Sequence, residues 1–260
     1  MTRAVATVLV AFGIGLSACS TTIAPANHGP PSLGDTGFPH DLLDEVQQRF
    51  VDARGRVDYA GLQADPGSLD SYYRLLAHYS PDTHPQHFAG EDDRLAYWIN
   101  AYNAAVLKAV VTYYPIASVS EVSGPPLSSL FSEQMGFFYF QKLVFGGESI
   151  NLYNLEHDVI RKRFIDPRIH FAINCASLGC PRLPKRAFTT AGLTAALDRE
   201  TRLFLNEDRN LRVDDGDRAI YLSSILQWYA QDFLTWYRQQ HPDVVEPTLL
   251  DYARPYLVPA

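Results

Sequence analysis

Between positions 168 and 181 the chain reads Arg168-Ile169-His170-Phe171-Ala172-Ile173-Asn174-Cys175-Ala176-Ser177-Leu178-Gly179-Cys180-Pro181. Large apolar residues alternate with other residues from Arg168 to Asn174, which predicts a β-strand. Its core face carries the large apolar side chains, whereas His170 and Asn174 share the other face. This pair either acts as a base and an orienting group or is bonded structurally, with Asn174 closing an Asx turn.

The same alternation complicates a simple thiol–imidazole pair. If the strand stays regular, Cys175 points away from His170, and the pair requires the backbone to turn at Asn174 or Cys175. Asparagine accepts left-handed conformations, so such a turn is compatible with the sequence. Without it, Cys180 is the alternative thiol, because it follows a short loop that can bring it back to the imidazole.

The two cysteines allow several kinds of chemistry. In an oxidising compartment, cysteines five positions apart readily form a disulfide, Cys175–Cys180, and the free-nucleophile interpretation has equal weight. A thiol-redox pair is a weaker alternative, because the spacing exceeds that of a C-x-x-C motif. A zinc site would need His157 and His170 as further ligands, and that spacing matches no usual zinc module, so we expect neither a metal nor a cofactor.

Two other segments carry polar residues on predicted helices. Asn100 and Asn103 lie three positions apart on a long helix, where they either bond a neighbouring loop or line a cleft. Glu156 and His157 lie side by side on another helix and form either an acid–base unit or an ordinary solvated face.

The N-terminus resembles a bacterial lipoprotein signal. One basic residue precedes an apolar run, and the run ends in Leu16-Ser17-Ala18-Cys19. We therefore expect a signal peptide over 1–18, lipidation of Cys19 and a flexible, Pro- and Gly-containing tether over 19–37. Because Ser20 rather than aspartate follows the cysteine, the signal resembles the outer-membrane address and predicts a protein that faces the periplasm.

The remaining residues, 38–260, are enough for one globular domain. Helical periodicity dominates, and a few predicted strands lie in hairpins, at Gly146-Gly147 and at Asp215-Gly216. The fold class is therefore α+β, a helix-rich domain with a small, mostly antiparallel sheet. The formal net charge of −7 argues against nucleic acid as a partner.

Three motifs together resemble the domain of unknown function 547 family. They are Tyr97-Trp98-Ile99-Asn100-Ala101-Tyr102-Asn103, Leu155-Glu156-His157 with Arg161, and the segment from Asp166 to Pro181. Val57-Asp58-Tyr59 and the aromatic segment 223–233 add to this likeness. The family name implies no reaction. There is also a weaker likeness, at the level of the fold, to transglutaminase-like and papain-like thiol hydrolases. Those enzymes place their cysteine at the start of the helix, whereas the corresponding helix of this chain has no cysteine.

Two functional hypotheses follow from the residues. The first is a thiol-dependent hydrolase or acyl transferase that acts on an amide or ester, with Cys175 as nucleophile and His170 as base. Asn100 and Asn174 would orient the imidazole or stabilise an oxyanion, and Glu156 and His157 would support the base or replace it. The second is a non-enzymatic envelope lipoprotein that binds a small molecule or peptide and contains a Cys175–Cys180 disulfide. In both, Cys19 anchors the protein to the membrane.

Overall fold

The computed structural model describes residues 20–26, 29, 31–34, 37–124, 135–214, 216 and 218–258. Helices form most of it and the strands form two small sheets, so the predicted α+β class is confirmed. The α-helices are α1 Asp41–Phe50, α2 Tyr59–Ala64, α3 Gly67–His78, α4 Glu91–Tyr113, α5 Met135–Phe140, α6 Leu152–Asn154, α7 Arg161–Arg163, α8 Leu193–Leu205, α9 Ser224–Trp228, α10 Ala230–Gln240 and α11 Leu249–Ala253.

The first sheet has three strands in the order β1-β2-β3. They are β1 Thr21–Ile23, β2 Gln141–Phe145 and β3 Glu148–Asn151. The β2–β3 pair is the antiparallel hairpin predicted around Gly146-Gly147, both of which have positive φ, whereas β1 joins β2 in parallel. The second sheet is the predicted antiparallel hairpin of β4 Leu211–Asp214 and β5 Ala219–Leu222. Asp215, part of its predicted turn signal, lies outside the described residues.

Strand β1 corrects part of the predicted tether. Ile23 is buried in the core, and its carbonyl oxygen accepts a hydrogen bond from the Tyr73 hydroxyl. Further along, the Tyr79 hydroxyl donates to the carbonyl of Pro31 at 2.7 Å. These contacts attach the N-terminal segment to the domain, so it is not a free tether throughout. The predicted signal peptide and Cys19 lie outside the described residues.

Helix α4 runs through the core and is buried along most of its length. It begins at Glu91 after an N-cap at Gly90. The carboxylate of Asp93 accepts the backbone N–H of Ala89 at 2.8 Å, and acidic residues in the first turn favour the positive end of the helix dipole. No helix among the described residues has the length and apolarity needed to cross a bilayer.

Residues 168–174 do not form the predicted strand. The segment Pro167–Phe171 is a 3₁₀ helix, capped by the Asp166 side chain, which accepts the backbone N–H of Arg168 at 3.0 Å. Proline at the first helical position fits this start, since it has no N–H to satisfy. Local capping has therefore prevailed over the alternating pattern, and the parity argument that separated His170 from Cys175 was wrong.

This 3₁₀ helix lies where the two hydrophobic clusters meet. Ile169 belongs to the larger cluster around α3 and α4, and Phe171 belongs to the smaller one, which includes Phe204, Phe233 and Tyr252. His170 sits between these two anchors and is itself buried. Its backbone is thus fixed from both sides.

A second irregular element precedes it in the chain. Asn151 caps α6 through a 2.7 Å bond from the N–H of Asn154. The next turn, Leu155–Ile160, is a π-helix, and α7 completes the helical segment. Such wide turns are rare and frequently occur at functional sites.

Candidate functional site

A cavity of about 450 Å³ brings together four residues singled out from the sequence. They are His170, Cys175, Cys180 and Glu156. The cavity wall also contains Tyr102 from α4, Tyr229 from the α9–α10 junction, Arg209 from the turn before β4, and Trp228, which is 72% exposed. Thus one pocket contains an imidazole, both sulfurs, a carboxylate and several aromatic rings.

His170 is held by one ring nitrogen only. Its Nε2 lies 2.8 Å from Oδ2 of Asp232 on α10, while Nδ1 is buried and has no hydrogen-bond partner among the described residues. Burial lowers the pKa of His170, although the hydrogen bond and charge of Asp232 oppose this shift. The imidazole is therefore neutral near pH 7, with its proton on Nε2 facing the carboxylate and a lone pair on Nδ1.

Asp232 is fixed by a second partner, Arg161. The guanidinium makes two bonds to the carboxylate, from Nε at 2.8 Å and from a terminal nitrogen at 3.1 Å. Burial opposes ionisation of Asp232, yet the bonds from His170 and Arg161 hold its pKa well below the usual range. The carboxylate is therefore an ionised acceptor that orients the imidazole, and bidentate pairing restricts its own movement.

Tyr229 connects this group to Glu156. Its ring stacks on His170 with centroids 3.9 Å apart, and its hydroxyl donates to Oε1 of Glu156 at 2.6 Å. The Arg161 guanidinium lies over the same ring, 4.7 Å from its centroid. Burial, followed by the charge of Glu156, raises the pKa of Tyr229 above its ordinary value. Tyr229 is thus a neutral phenol that links Glu156 to the His170 ring, and the charge of Glu156 also opposes the lowering of the His170 pKa.

Cys175 and Cys180 form a disulfide in this structure, with their Cα atoms 5.9 Å apart. The loop between them contains Ala176 at φ 55° and the exposed Leu178, whose carbonyl accepts a hydrogen bond from Arg209. Cys175 is partly exposed and Cys180 is buried. The free nucleophile expected at Cys175 is therefore absent from this oxidised form, although both sulfurs border the cavity.

Asn174 has the structural role that the sequence left open. Its side-chain oxygen accepts the N–H of Ala176 at 2.9 Å in an Asx turn, and its amide donates to the carbonyl of Pro181 at 2.6 Å. It braces both ends of the disulfide loop and is not among the cavity-lining residues. A 3₁₀ helix rather than a strand leads into this loop, and Cys175 shares a cavity with His170.

Asn100 and Asn103 are also structural. Asn100 is fully buried, donates to the carbonyl of Phe188 at 2.7 Å and accepts the N–H of the same residue at 2.9 Å. Asn103 donates to the carbonyl of Ala172 and accepts the N–H of Asn174, both at 2.9 Å. Because these amides are occupied by backbone groups, they follow the alternative in which they bond neighbouring loop segments, and the role of Asn100 as an orienting group or oxyanion donor stays a prediction.

His157 lies outside the cavity. Its Nδ1 is 3.0 Å from the carbonyl of Tyr153, and its ring stacks on Tyr153 with centroids 4.0 Å apart. The centroid of the His157 ring lies 6.4 Å from that of Tyr229, which is the ring that stacks on His170. Of the predicted pair, Glu156 reaches the cavity and His157 does not.

Sequence reasoning missed Asp232, Arg161 in its present role, and Tyr229. Asp232 and Tyr229 lie about sixty positions beyond His170, on helical segments whose aromatic pattern resembles an ordinary core stripe. A buried histidine needs a partner for its N–H, and this requirement is the signal that predicts an unidentified acceptor. It does not identify which of the many acidic residues supplies it.

A larger cleft, of about 890 Å³, lies elsewhere, beside α1 and the start of α4. Two of its carboxylates already have structural partners: Asp44 accepts from Arg186 and from the N–H of Ala187, and Asp93 accepts from Ala89 and Thr190. Among the described residues, no group of three or more His, Cys, Asp or Glu is placed to hold a metal ion. The smaller cavity therefore holds the chemistry predicted from the sequence.

Comparison with protein families identifies the central part of the chain. Residues 85–205 match the family model "Protein of unknown function, DUF547". The DUF547 segment contains α4, Glu156, His170 and both cysteines, whereas Asp232 and Tyr229 come from the chain after it. The resemblance predicted from the motifs is confirmed over this range, and its extension to 57–59 and 223–233 stays a prediction. The chain matches no curated protein and no solved structure.

Proposed function

We propose that this protein is an exported lipoprotein whose cavity is a thiol-dependent acyl-transfer site, acting on an amide or ester and stored as a disulfide. The observation that carries the proposal is that Cys175, Cys180 and a half-satisfied imidazole, His170, line one cavity. A thiol needs a nearby base to become a thiolate, and His170 with Asp232 has the arrangement of such a base.

The reaction starts with reduction of the disulfide by one dithiol or by two molecules of a small thiol, which are oxidised to a disulfide as both cysteines become thiols. Nδ1 of His170 then accepts the proton of the Cys175 thiol, and the thiolate attacks the substrate carbonyl carbon. The C–N or C–O bond breaks, and the leaving group takes the proton from His170. Water or an acceptor alcohol or amine then removes the acyl group from sulfur. Asp232 positions the imidazole and stabilises its charged form during transfer.

Cys175 is the better candidate for the attacking sulfur. It is partly exposed, whereas Cys180 is buried and followed by Pro181, whose carbonyl bonds Asn174. A more exposed sulfur is also the one that an external thiol reaches first. Cys180 is then the leaving sulfur on reduction and stays beside the nucleophile, where it can close the disulfide again.

Alkylation kinetics of the reduced protein test this proposal. We expect iodoacetamide to modify Cys175 with a pH profile centred below the value of about 8.5 typical of a free thiol. His170→Gln should move the profile back to the free-thiol range and Asp232→Asn should move it part of the way. Cys180→Ser serves as a matched control, since it leaves the other thiol free without reduction.

Two further measurements decide the outcome. Oxidised wild type should resist labelling, and reduced wild type should react with an electrophilic ester or amide probe at Cys175. An ordinary thiol profile that His170→Gln does not change contradicts the proposed base. Mass spectrometry of the N-terminal peptide separately tests the signal cleavage and the lipid on Cys19.

A second candidate is a non-enzymatic envelope lipoprotein that binds a small molecule or peptide in the same cavity. The disulfide itself favours it, since the pair pins the loop that forms one wall. Exposed Trp228 at the cavity would then be a contact for the ligand. This candidate expects no accelerated alkylation of the reduced protein, and ligand binding by the oxidised form.

A further inference from the structure

The folded domain begins almost immediately after the proposed lipidation site. Ser20 follows Cys19, and Thr21 already pairs with Gln141 in the parallel β1–β2 ladder. Ile23, two positions on, is buried and bonded by Tyr73. Only Ser20 separates Thr21 from Cys19 in the sequence, and two residues of extended chain reach at most about 7 Å.

The surface next to this point is aromatic. Helix α5 ends at Phe140, directly before Gln141, and its last three residues, Phe138, Tyr139 and Phe140, are all partly exposed. Tyr139 stacks on Tyr153 with centroids 4.3 Å apart. Paired strands lie about 5 Å apart, which places Phe140 close to Ser20. Tyrosine is enriched where proteins meet the membrane–water interface, and phenylalanine occurs on the apolar face of helices that lie in that interface.

We propose that β1 and the aromatic end of α5 form a membrane-docking surface, whose partner is the lipid bilayer that holds the Cys19 acyl chains. This inference rests on the lipidation in the proposed function. Acyl chains buried in the bilayer hold Cys19 at its surface, and the short connection leaves the domain no room to move away. The part of the domain nearest to Cys19 must then touch the headgroups.

The contact is apolar rather than electrostatic. The chain carries a formal charge of −7, which disfavours adsorption to an anionic lipid surface. Rings that insert at the level of the headgroups avoid this problem, because their burial stabilises the contact without opposite charges. The lipid anchor supplies the attachment and the aromatic surface sets the orientation of the domain.

Tryptophan quenching tests the orientation. The full chain with lipidated Cys19 is reconstituted in phosphatidylethanolamine–phosphatidylglycerol vesicles whose acyl chains carry bromine. The bromine should quench a larger fraction of the tryptophan emission in Phe140→Trp than in the wild type. The quenching of the wild type measures the contribution of the native tryptophans. Val245→Trp, at a position 86% exposed between α10 and α11, is the control and should lose none. Tyr139→Trp gives a second reading if Phe140→Trp does not fold.

The outcomes separate the two proposals. Equal quenching at positions 139, 140 and 245, in protein whose Cys19 lipid is verified by mass, overturns the docking surface and leaves the lipoprotein proposal intact. A mature chain without lipid on Cys19 overturns the anchor, and the docking inference with it. Stronger quenching at 139 or 140 than at 245 supports the surface.

Discussion

Two buried polar regions of this protein, the Asn100/Asn103 amides and the His170 imidazole, are satisfied to different degrees. The two amides use both their donor and acceptor groups on backbone partners. The imidazole, equally enclosed, uses only Nε2 and leaves Nδ1 without a partner among the described residues. Since buried polar groups are usually bonded, a nitrogen without a partner on a residue that lines a cavity is where we expect a ligand or a proton to bind.

The strongest test of the amide side of this comparison is Asn103→Ala. It leaves the carbonyl of Ala172 and the N–H of Asn174 buried without partners, which is expected to lower the unfolding free energy by about 3–5 kcal/mol. Urea denaturation of the oxidised protein measures this. Asn206→Ala is the matched control on the surface, where water replaces the lost bonds and the expected change is below about 1 kcal/mol.

Asp232→Asn tests the imidazole side. It removes an ionised acceptor from both His170 and Arg161, and the expected loss of stability is about 2–3 kcal/mol. The pKa of His170 should also fall further, because the charge and hydrogen bond of Asp232 are what raise it. NMR titration of the imidazole reports that second effect. A His170 pKa that stays the same would show that Asp232 does not hold the ring in solution.

Reduction of Cys175–Cys180 is expected to have a smaller effect on stability. By loop entropy, such a short closed loop contributes about 2 kcal/mol. The Asn174 bonds to Ala176 and Pro181 remain, so we expect the loop to keep its place and the protein to stay folded. Denaturation with and without reductant measures the difference. Loss of cooperative unfolding on reduction would mean that the disulfide, rather than Asn174, holds the cavity wall.

Acidification should protonate two neutral histidines, the buried His170 and the partly exposed His40. Burial lowers the pKa of His170 and lowers that of His40 to about 4. Below the unfolded value of about 6.5 the unfolded chain binds more protons than the folded chain, so stability falls as the pH drops from about 6.5 to about 4. From pH 7 to pH 5 the expected loss at His40 is about 1–2 kcal/mol. His40→Gln should flatten this part of the pH dependence, and an unchanged slope contradicts the assignment.

Much of the fold could be predicted because its helices carry clear local signals. The long helix that carries Asn100 and Asn103 and the turn at Gly146-Gly147 both depend on local sequence patterns, and each lies where the sequence places it. Strand β1 could not be predicted, since it has three residues and its partner lies about 120 positions away. Its pairing depends on tertiary structure alone.

The candidate site was only partly predictable for a related reason. The sequence predicted the neighbourhood of His170 and the two cysteines, yet it misassigned the strand, because capping by Asp166 and bonds from Asn103 override the alternating pattern. It also could not distinguish Asn174 as a loop brace from a catalytic amide. The conformation of this segment and the role of Asn174 depend on which backbone N–H and C=O groups would otherwise have no hydrogen-bond partner. Only the folded structure specifies those groups.

The π-helical turn Leu155–Ile160 places the side chains of Glu156 and Arg161 on the same aromatic ring. The N–H of Arg161 bonds the carbonyl of Glu156, five residues earlier, so both side chains reach the same ring, one at the Tyr229 hydroxyl and one over its face. In a regular α-helix, positions five apart point about 140° away from each other. Conversion of the turn to a regular α-helix would therefore prevent Glu156 and Arg161 from contacting Tyr229 together, even without any substitution.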